Sequence, residues 1–241
     1  MRRVATSTSR RTLLVGGLAA LTLAGCGTNE PAMKTNPRRT DQMADADQQL
    51  LDGAESGDAA TVSAALAAGA NVETRNARRR TPLLLAAAAD RIDPARELLK
   101  HGADVNAVDD QSDTPFLVTG VTGSVAMLEL LLPHHPNFKI YNRFGGTALI
   151  PACERGHVDF VRRAVRTGIE VNHVNELGWT GLLEAVILGS GGRDHQEIVR
   201  ILLANGADPT IADRDGVTAL QHARTQGYDE IVRLLRRPRA G

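Results

Sequence analysis

Thr81-Pro82-Leu83, Thr114-Pro115-Phe116, Thr147-Ala148-Leu149, Thr180-Gly181-Leu182 and Thr218-Ala219-Leu220 are versions of one tripeptide, spaced 33, 33, 33 and 38 residues apart. A second series keeps the same register: Gly69-Ala70-Asn71-Val72, Gly102-Ala103-Asp104-Val105-Asn106, Gly168-Ile169-Glu170-Val171-Asn172 and Gly206-Ala207-Asp208-Pro209. Two independent motifs in phase over three equal intervals mark internal repetition rather than coincidence. Each element has a physical task. The threonine hydroxyl holds a backbone amide at a helix start, and proline sits where an N–H has no intrahelical partner. A glycine at the end of a helix takes a positive φ that other residues resist. Between them, Leu128 with Leu130-Leu131-Leu132, and Ile198-Val199 with Ile201-Leu202-Leu203, form the 3.6-residue apolar stripe of a buried helix face. One such unit cannot bury that face alone, so neighbours must stack.

This period and its Thr-Pro-Leu helix start resemble the ankyrin repeat. The resemblance runs from about Asp47 to Arg237 and implies an all-α solenoid of about six helix-turn-helix repeats joined by β-hairpin finger loops. It places the repeat domain at residues 46–238, with the first unit (Leu50 to Ala77) and the last (Asp215 to Arg237) as caps. Two departures stand out. Repeat five carries five extra residues around Gly189-Ser190-Gly191-Gly192-Arg193-Asp194, between its two helices. Repeat three replaces the glycine turn with Pro133-His134-His135-Pro136, where a different turn and a local bend in the stacking are expected.

Composition agrees with short, closely packed helices. Of the 241 residues only 3% are aromatic, and the apolar share is mostly Ala, Leu and Val, which suits a β-sandwich poorly. Four of the 28 basic residues, Arg2, Arg3, Arg10 and Arg11, lie in the first 25 positions, which hold no acid. The rest of the chain has 24 basic against 28 acidic groups, about −4, which is not the basic footprint of a nucleic-acid binder. Two cysteines, Cys26 and Cys153, exclude a disulfide framework.

Residues 1–25 read as a signal peptide: a basic region, the apolar stretch Leu13–Leu23, then small residues. That stretch is shorter than the roughly 20 residues a membrane span needs. Its end, Leu23-Ala24-Gly25-Cys26, resembles the bacterial lipobox, which implies lipidation of Cys26 and cleavage before it; a plain secretory peptide cut near Ala24 is the alternative. Ser9-Arg10-Arg11-Thr12-Leu13-Leu14 resembles a twin-arginine export signal, and an ordinary Sec signal with four arginines fits the same residues. Acyl chains on Cys26 would hold the chain at a membrane outside the cytoplasm. Gly27 in place of Asp favours, by the enterobacterial sorting rule, outer-membrane delivery where such a membrane exists. Residues 26–45, polar and holding Pro31 and Pro37, read as a lipidated cysteine and flexible tether.

Members of the ankyrin family bind partners through the fingers and first helices of the concave face. Aligned on the threonines, Val108, Tyr141 and Val174 share one finger column, Phe144 and Leu177 share another, and Trp179 precedes Thr180. Apolar and aromatic groups on neighbouring fingers of an aromatic-poor chain point to a partner-binding patch on repeats three to five. The alternative is that they pack on one another and stiffen the fingers.

Groups able to do chemistry are few. His157 and His195 share a column, with Cys153 one turn before His157, but the spacing lacks a full ligand set for a metal. Cys153 is expected to be a free, buried thiol. Glu184 and His222 share the column occupied by Leu85 in repeat two, so they are expected to face the interior and to pair. That pair would be a structural hydrogen bond, or a pH-sensitive latch. No phosphate loop or Ser-His-Asp set is present, and Gly189 to Gly192 joins two helices rather than a strand to a helix.

The expectation is a non-enzymatic protein-binding scaffold: a monomer, lipid-anchored outside the cytoplasm, with an unidentified protein partner. No catalytic residues, metal, cofactor or nucleic acid are expected. A small-ligand or enzymatic site at the insertion, near Arg193 and His195, is the competing reading.

Overall fold

Helix starts at four of the five phased threonines follow from one hydrogen-bond pattern. In the computed structural model, which describes residues 37–236, the hydroxyls of Thr81, Thr114, Thr180 and Thr218 accept from the amides of Leu84, Leu117, Leu183 and Gln221 at 3.1–3.4 Å. At Thr218 the Gln221 side chain reaches back to the cap amide and completes a capping box. Twelve α-helices are described: α1 (Pro37–Ser56), α2 (Ala59–Ala67), α3 (Pro82–Ala88), α4 (Ile92–Lys100), α5 (Pro115–Thr122), α6 (Val125–Leu131), α7 (Leu149–Glu154), α8 (Val158–Ala164), α9 (Gly181–Ile187), α10 (Arg193–Ala204), α11 (Ala219–Thr225) and α12 (Asp229–Arg236). They form six antiparallel pairs. α1 begins at Pro37, within the stretch 26–45 read as tether.

Stacking puts the odd-numbered helices in one layer and the even-numbered helices in the other, each helix touching its counterpart in the next repeat. Close approach depends on small groups. A Cβ on Gly120 of α5 would lie 1.9 Å from the carbonyl oxygen of Ala148, so only glycine lets repeats three and four meet there. The core is mostly leucine, alanine and valine and falls into two clusters. Leu50, Leu83, Leu98 and Leu131 bury in its first part, and Phe160, Leu183, Ile198 and Leu202 in its second. α6 contributes to both, with Met127 and Leu131 in the first part and Leu128 in the second.

The fingers are built from turns, and among the described residues the sole β-pairing is the bridge between Ala212 and Thr218. An Asn or Asp five residues before each phased threonine organises the turn: Asn76, Asp109, Asn142, Asn175 and Asp213. The Oδ1 of each accepts from the amides two and four residues on, as Asn142 does from Phe144 and Gly146 at 3.0 and 2.9 Å. Such Asx turns satisfy amides that a two-strand ladder would otherwise pair. The first four fingers join by one backbone bond at each junction: Asp110 N–H to Arg78 O, Arg143 N–H to Gln111 O, and Glu176 N–H to Phe144 O. The fifth joins through Arg214 Nη2, which donates to the Glu176 carbonyl.

Repeat three keeps the register that its sequence obscures. A short 3₁₀ turn, Leu132–His134, ends on His135 with φ 57°, in the left-handed position held by Gly69, Gly102, Gly168 and Gly206 in the other repeats. What changes is the next residue. In repeats one, two and five the amides of Ala70, Ala103 and Ala207 bond back to Ala65, Leu98 and Leu202. Pro136 has no amide to give. Contacts of α6 with α4 and α8 persist across this turn.

A Cβ at Gly189 would lie 2.3 Å from His195 Cδ2, and Tyr228 Oη donates to the Gly189 carbonyl at 2.9 Å. The extra residues of repeat five are therefore folded tightly against α10 and the last repeat. Among the described residues no helix is long and apolar enough to cross a membrane.

Candidate functional site

The concavity between the fingers and the first helices of repeats three to five holds the candidate site. It is a groove of about 360 Å³, bounded by the fingers around Asn142–Gly146 and Asn175–Leu177 and by the exposed ends of α5, α7 and α9. Four of the seven large apolar side chains exposed among the described residues border it: Val121 (41%), Phe144 (46%), Leu177 (48%) and Leu188 (50%). Phe144 and Leu177 come from the finger column identified in the sequence. Val121 and Leu188 end α5 and α9 and were not anticipated, because a lone apolar residue at a helix end carries no period.

The other proposed patch residues lie elsewhere. Tyr141 is half-buried and stacks on His173 with ring centroids 4.3 Å apart, beside a separate concavity lined by Pro136, Phe138 and Lys139. Trp179 packs against the core. Val108 and Val174 are exposed but do not border the groove. The six residues thus divide into two that meet in the groove, three along the outer finger column and one that is structural.

The groove floor is acidic. Asp113, Glu154 and Glu184 line it together with Arg143 and Arg155. Glu184 is 4% exposed; its Oε1 accepts from Asn175 Nδ2 at 3.2 Å. Burial, and then the charge of Glu154, push its carboxyl up to about 7 against the pull of that hydrogen bond. Asp113 is raised as well, by burial and by Asp109, with Arg143 and Arg80 acting the other way. Arg143 is engaged at the rim: Nη1 reaches Gln111 Oε1 at 2.5 Å and the guanidinium lies 4.5 Å from the Phe144 ring centroid.

The expected contact between Glu184 and His222 is replaced by two equivalent ones. Each side chain turns to the turn-forming residue of its own finger, nine positions earlier: Glu184 to Asn175, and His222 Nε2 to Asp213 Oδ2 at 2.7 Å. Asp213 is held below the usual carboxylate range, first by the Val217 amide and then by His222.

The histidine column is a stacking device. His157 Nε2 meets the Val121 carbonyl at 3.1 Å, and His195 Nε2 meets the Glu154 carbonyl at 2.9 Å, so each imidazole closes on the end of the preceding first helix. His195 Nδ1 takes up Ser190 Oγ at 3.3 Å within the insertion. Cys153 is free and buried; burial and the charge of Glu184 raise its thiol. No group of three or more His, Cys, Asp or Glu side chains able to hold a metal ion occurs among the described residues.

Cys26 and the signal-like segment lie outside the described residues.

Comparison with known proteins agrees with this architecture. The family model for ankyrin repeats (3 copies) matches residues 50–137 and 120–213. The ankyrin repeat protein YahD of Escherichia coli (strain K12) is 38% identical over 183 residues, covering 76% of this chain and 91% of its own. Among solved structures, an ankyrin repeat domain from Acinetobacter baumannii is 47% identical with a TM-score of 0.74, covering 77% of this chain and 95% of that one. A second, the ankyrin repeat protein EF0377, is 38% identical with a TM-score of 0.75, covering 78% and 96%. Matched by the family model over residues 50–137 and 120–213 and by relatives 38–47% identical over most of their own length, the chain belongs to the ankyrin-repeat family.

Proposed function

We propose that the chain is a non-enzymatic protein-binding scaffold, tethered outside the cytoplasm by lipid on Cys26, and that it docks its partner in the groove of repeats three to five. Ankyrin repeats are in general a protein-interaction scaffold, and one observation carries the choice of face. Val121, Phe144, Leu177 and Leu188, from three repeats, converge on one concavity while remaining 41–50% exposed. Apolar side chains gathered around a cavity, rather than scattered singly, mark an interaction surface. The tether reading is supported by Leu23-Ala24-Gly25-Cys26 after a short apolar stretch with arginines before it.

Two experiments test the halves separately. The full chain expressed in a bacterial cell fed an alkynyl fatty acid takes up label, and Cys26→Ser does not; equal labelling, or none in either, removes the lipid anchor. In pull-downs from the native envelope, wild type retains an identifiable protein that Phe144→Ser with Leu177→Ser loses at unchanged thermal midpoint. Equal capture by both removes the groove as the docking face.

A further inference from the structure

Resting on that docking reading, we propose that the groove takes a lysine or arginine side chain from a partner protein segment, with apolar residues flanking the basic one. The groove combines an acidic floor with an apolar rim, and one occupant must satisfy both.

On the floor, Glu184 is 4% exposed; its Oε1 accepts from Asn175, and its Oε2, which is not a fully buried atom, opens to the groove. Glu154 lies close enough that its charge bears on Glu184, and neither carboxylate has a basic side chain of the described chain within ion-pair distance. The two arginines that line the groove do not fill this role. Arg143 is held at the rim by Gln111 and the Phe144 ring, and its charge bears on Asp113; Arg155 is exposed beyond the end of α7. A carboxylate taken from water without a countercharge is destabilised, and the destabilisation is relieved by a cation that arrives with its own hydrogen-bond donors.

The rim narrows the choice of cation. A small inorganic ion would meet the carboxylates and leave Val121, Phe144, Leu177 and Leu188 uncovered. A wholly apolar segment would cover those four and seal the Glu184 carboxylate away without a countercharge. Lysine and arginine carry an aliphatic stem that lies along apolar surface and a head that reaches charge. Arginine is also among the residues that dominate binding energy when their neighbours exclude water.

The test uses a phage-displayed random peptide library selected on the full chain, followed by a synthetic peptide of the selected sequence and its copy with the basic residue changed to methionine. Selected sequences are expected to share a Lys or Arg beside apolar residues, and the methionine copy to bind at least about tenfold more weakly. Glu184→Gln and Glu154→Gln, which preserve shape, each weaken the basic peptide by a similar factor and leave the methionine copy unaffected. Wild-type affinity for the basic peptide rises from about pH 6 to about pH 8 as Glu184 ionises, and the rise is absent in Glu184→Gln. On binding, the carboxyl carbon of Glu184 titrates at lower pH by NMR.

Peptides without a basic residue that are lost on Phe144→Ser with Leu177→Ser would leave the docking face standing and overturn the basic-side-chain proposal. Binding indifferent to both sets of variants overturns both. An empty selection, or a basic peptide equally tight on Glu184→Gln and Glu154→Gln, overturns the proposal as well.

Discussion

Asn175 donates its side-chain amide to Glu184 across 3.2 Å while the Asn175 carbonyl oxygen Oδ1 holds the amides of Leu177 and Trp179. One side chain therefore shapes the finger and anchors the buried acid at the groove floor. Asp213 does the same for His222 in the last repeat. The partner changes from amide to carboxylate as the residue it must meet changes from an acceptor to a donor, so each pair is complementary within its own repeat.

Glu184 makes stability depend on pH in a sense opposite to an ordinary ion pair. Its carboxyl sits near 7 in the fold against 4.5 as the usual value, so between these the folded chain binds more protons than the unfolded one. The penalty is absent below about pH 4.5, grows as pH rises through this window and is complete above about 7. Glu184→Gln keeps the acceptor for Asn175 and removes the charge. Urea melts at pH 5 and pH 8 should show the variant gaining about 1–3 kcal/mol over wild type at the higher pH, and much less at the lower. An identical pH trend in both chains would contradict the buried-charge reading.

The thiol of Cys153 is inert in the fold. Burial raises it first and the charge of Glu184 adds to that, so the reactive thiolate is scarce at neutral pH. In a full chain carrying Cys26→Ser, Cys153 is the sole thiol. It should resist a disulfide-exchange reagent at pH 8 in the native state and react in full when guanidinium unfolds the chain. Rapid native labelling would mean that the α7–α9 contact opens readily.

The fold was legible because its most demanding positions tolerate few residue types. A left-handed turn calls for glycine and a helix start calls for threonine, so Gly102 or Thr114 shows in the sequence without any neighbour being known. The Asn and Asp column was equally visible, always five residues before a phased threonine, and would have located the finger turns. The groove was less legible. Phe144 and Leu177 shared a column, but Val121 and Leu188 join them only through the stacking of separate repeats. An aromatic residue on a finger reads the same whether it stands in water or, like Tyr141, lies on its neighbour's His173. Glu184 and His222 were expected to meet because they share a column, yet each has a nearer partner in its own finger.

Thr147 is the phased threonine whose hydroxyl does not cap. In the other four repeats the amide four residues after the threonine bonds to its carbonyl; here that residue is Pro151, which has none. The helix starts later, Ile150 N–H takes the Thr147 carbonyl instead, and Oγ1 is left buried without a partner. Thr147→Val exchanges this stranded hydroxyl for a methyl of similar shape and should raise stability by about 1 kcal/mol. The same change at Thr81 or Thr114 removes a working cap and should cost about 1 kcal/mol. Opposite signs in parallel urea melts establish the difference; a loss at all three positions would show that the Thr147 hydroxyl is satisfied by water.

His135 holds a left-handed conformation at φ 57° where the equivalent positions are Gly69, Gly102, Gly168 and Gly206, at φ 93°, 80°, 92° and 88°. A side chain there costs roughly 1–2 kcal/mol through contact of Cβ with the following carbonyl. Glycine removes that cost and adds about 0.5–1 kcal/mol of unfolded-state entropy. The exposed imidazole offers little to set against the exchange, so His135→Gly should stabilise the chain by about 0.5–1 kcal/mol. The reciprocal change, Gly102→His, imposes the strain on a turn that already closes with the Ala103 N–H to Leu98 carbonyl bond, and should destabilise by about 1 kcal/mol or more. Chemical denaturation of both variants checks the pair. If His135→Gly lowers stability instead, the imidazole supports the turn that Pro136 leaves one hydrogen bond short.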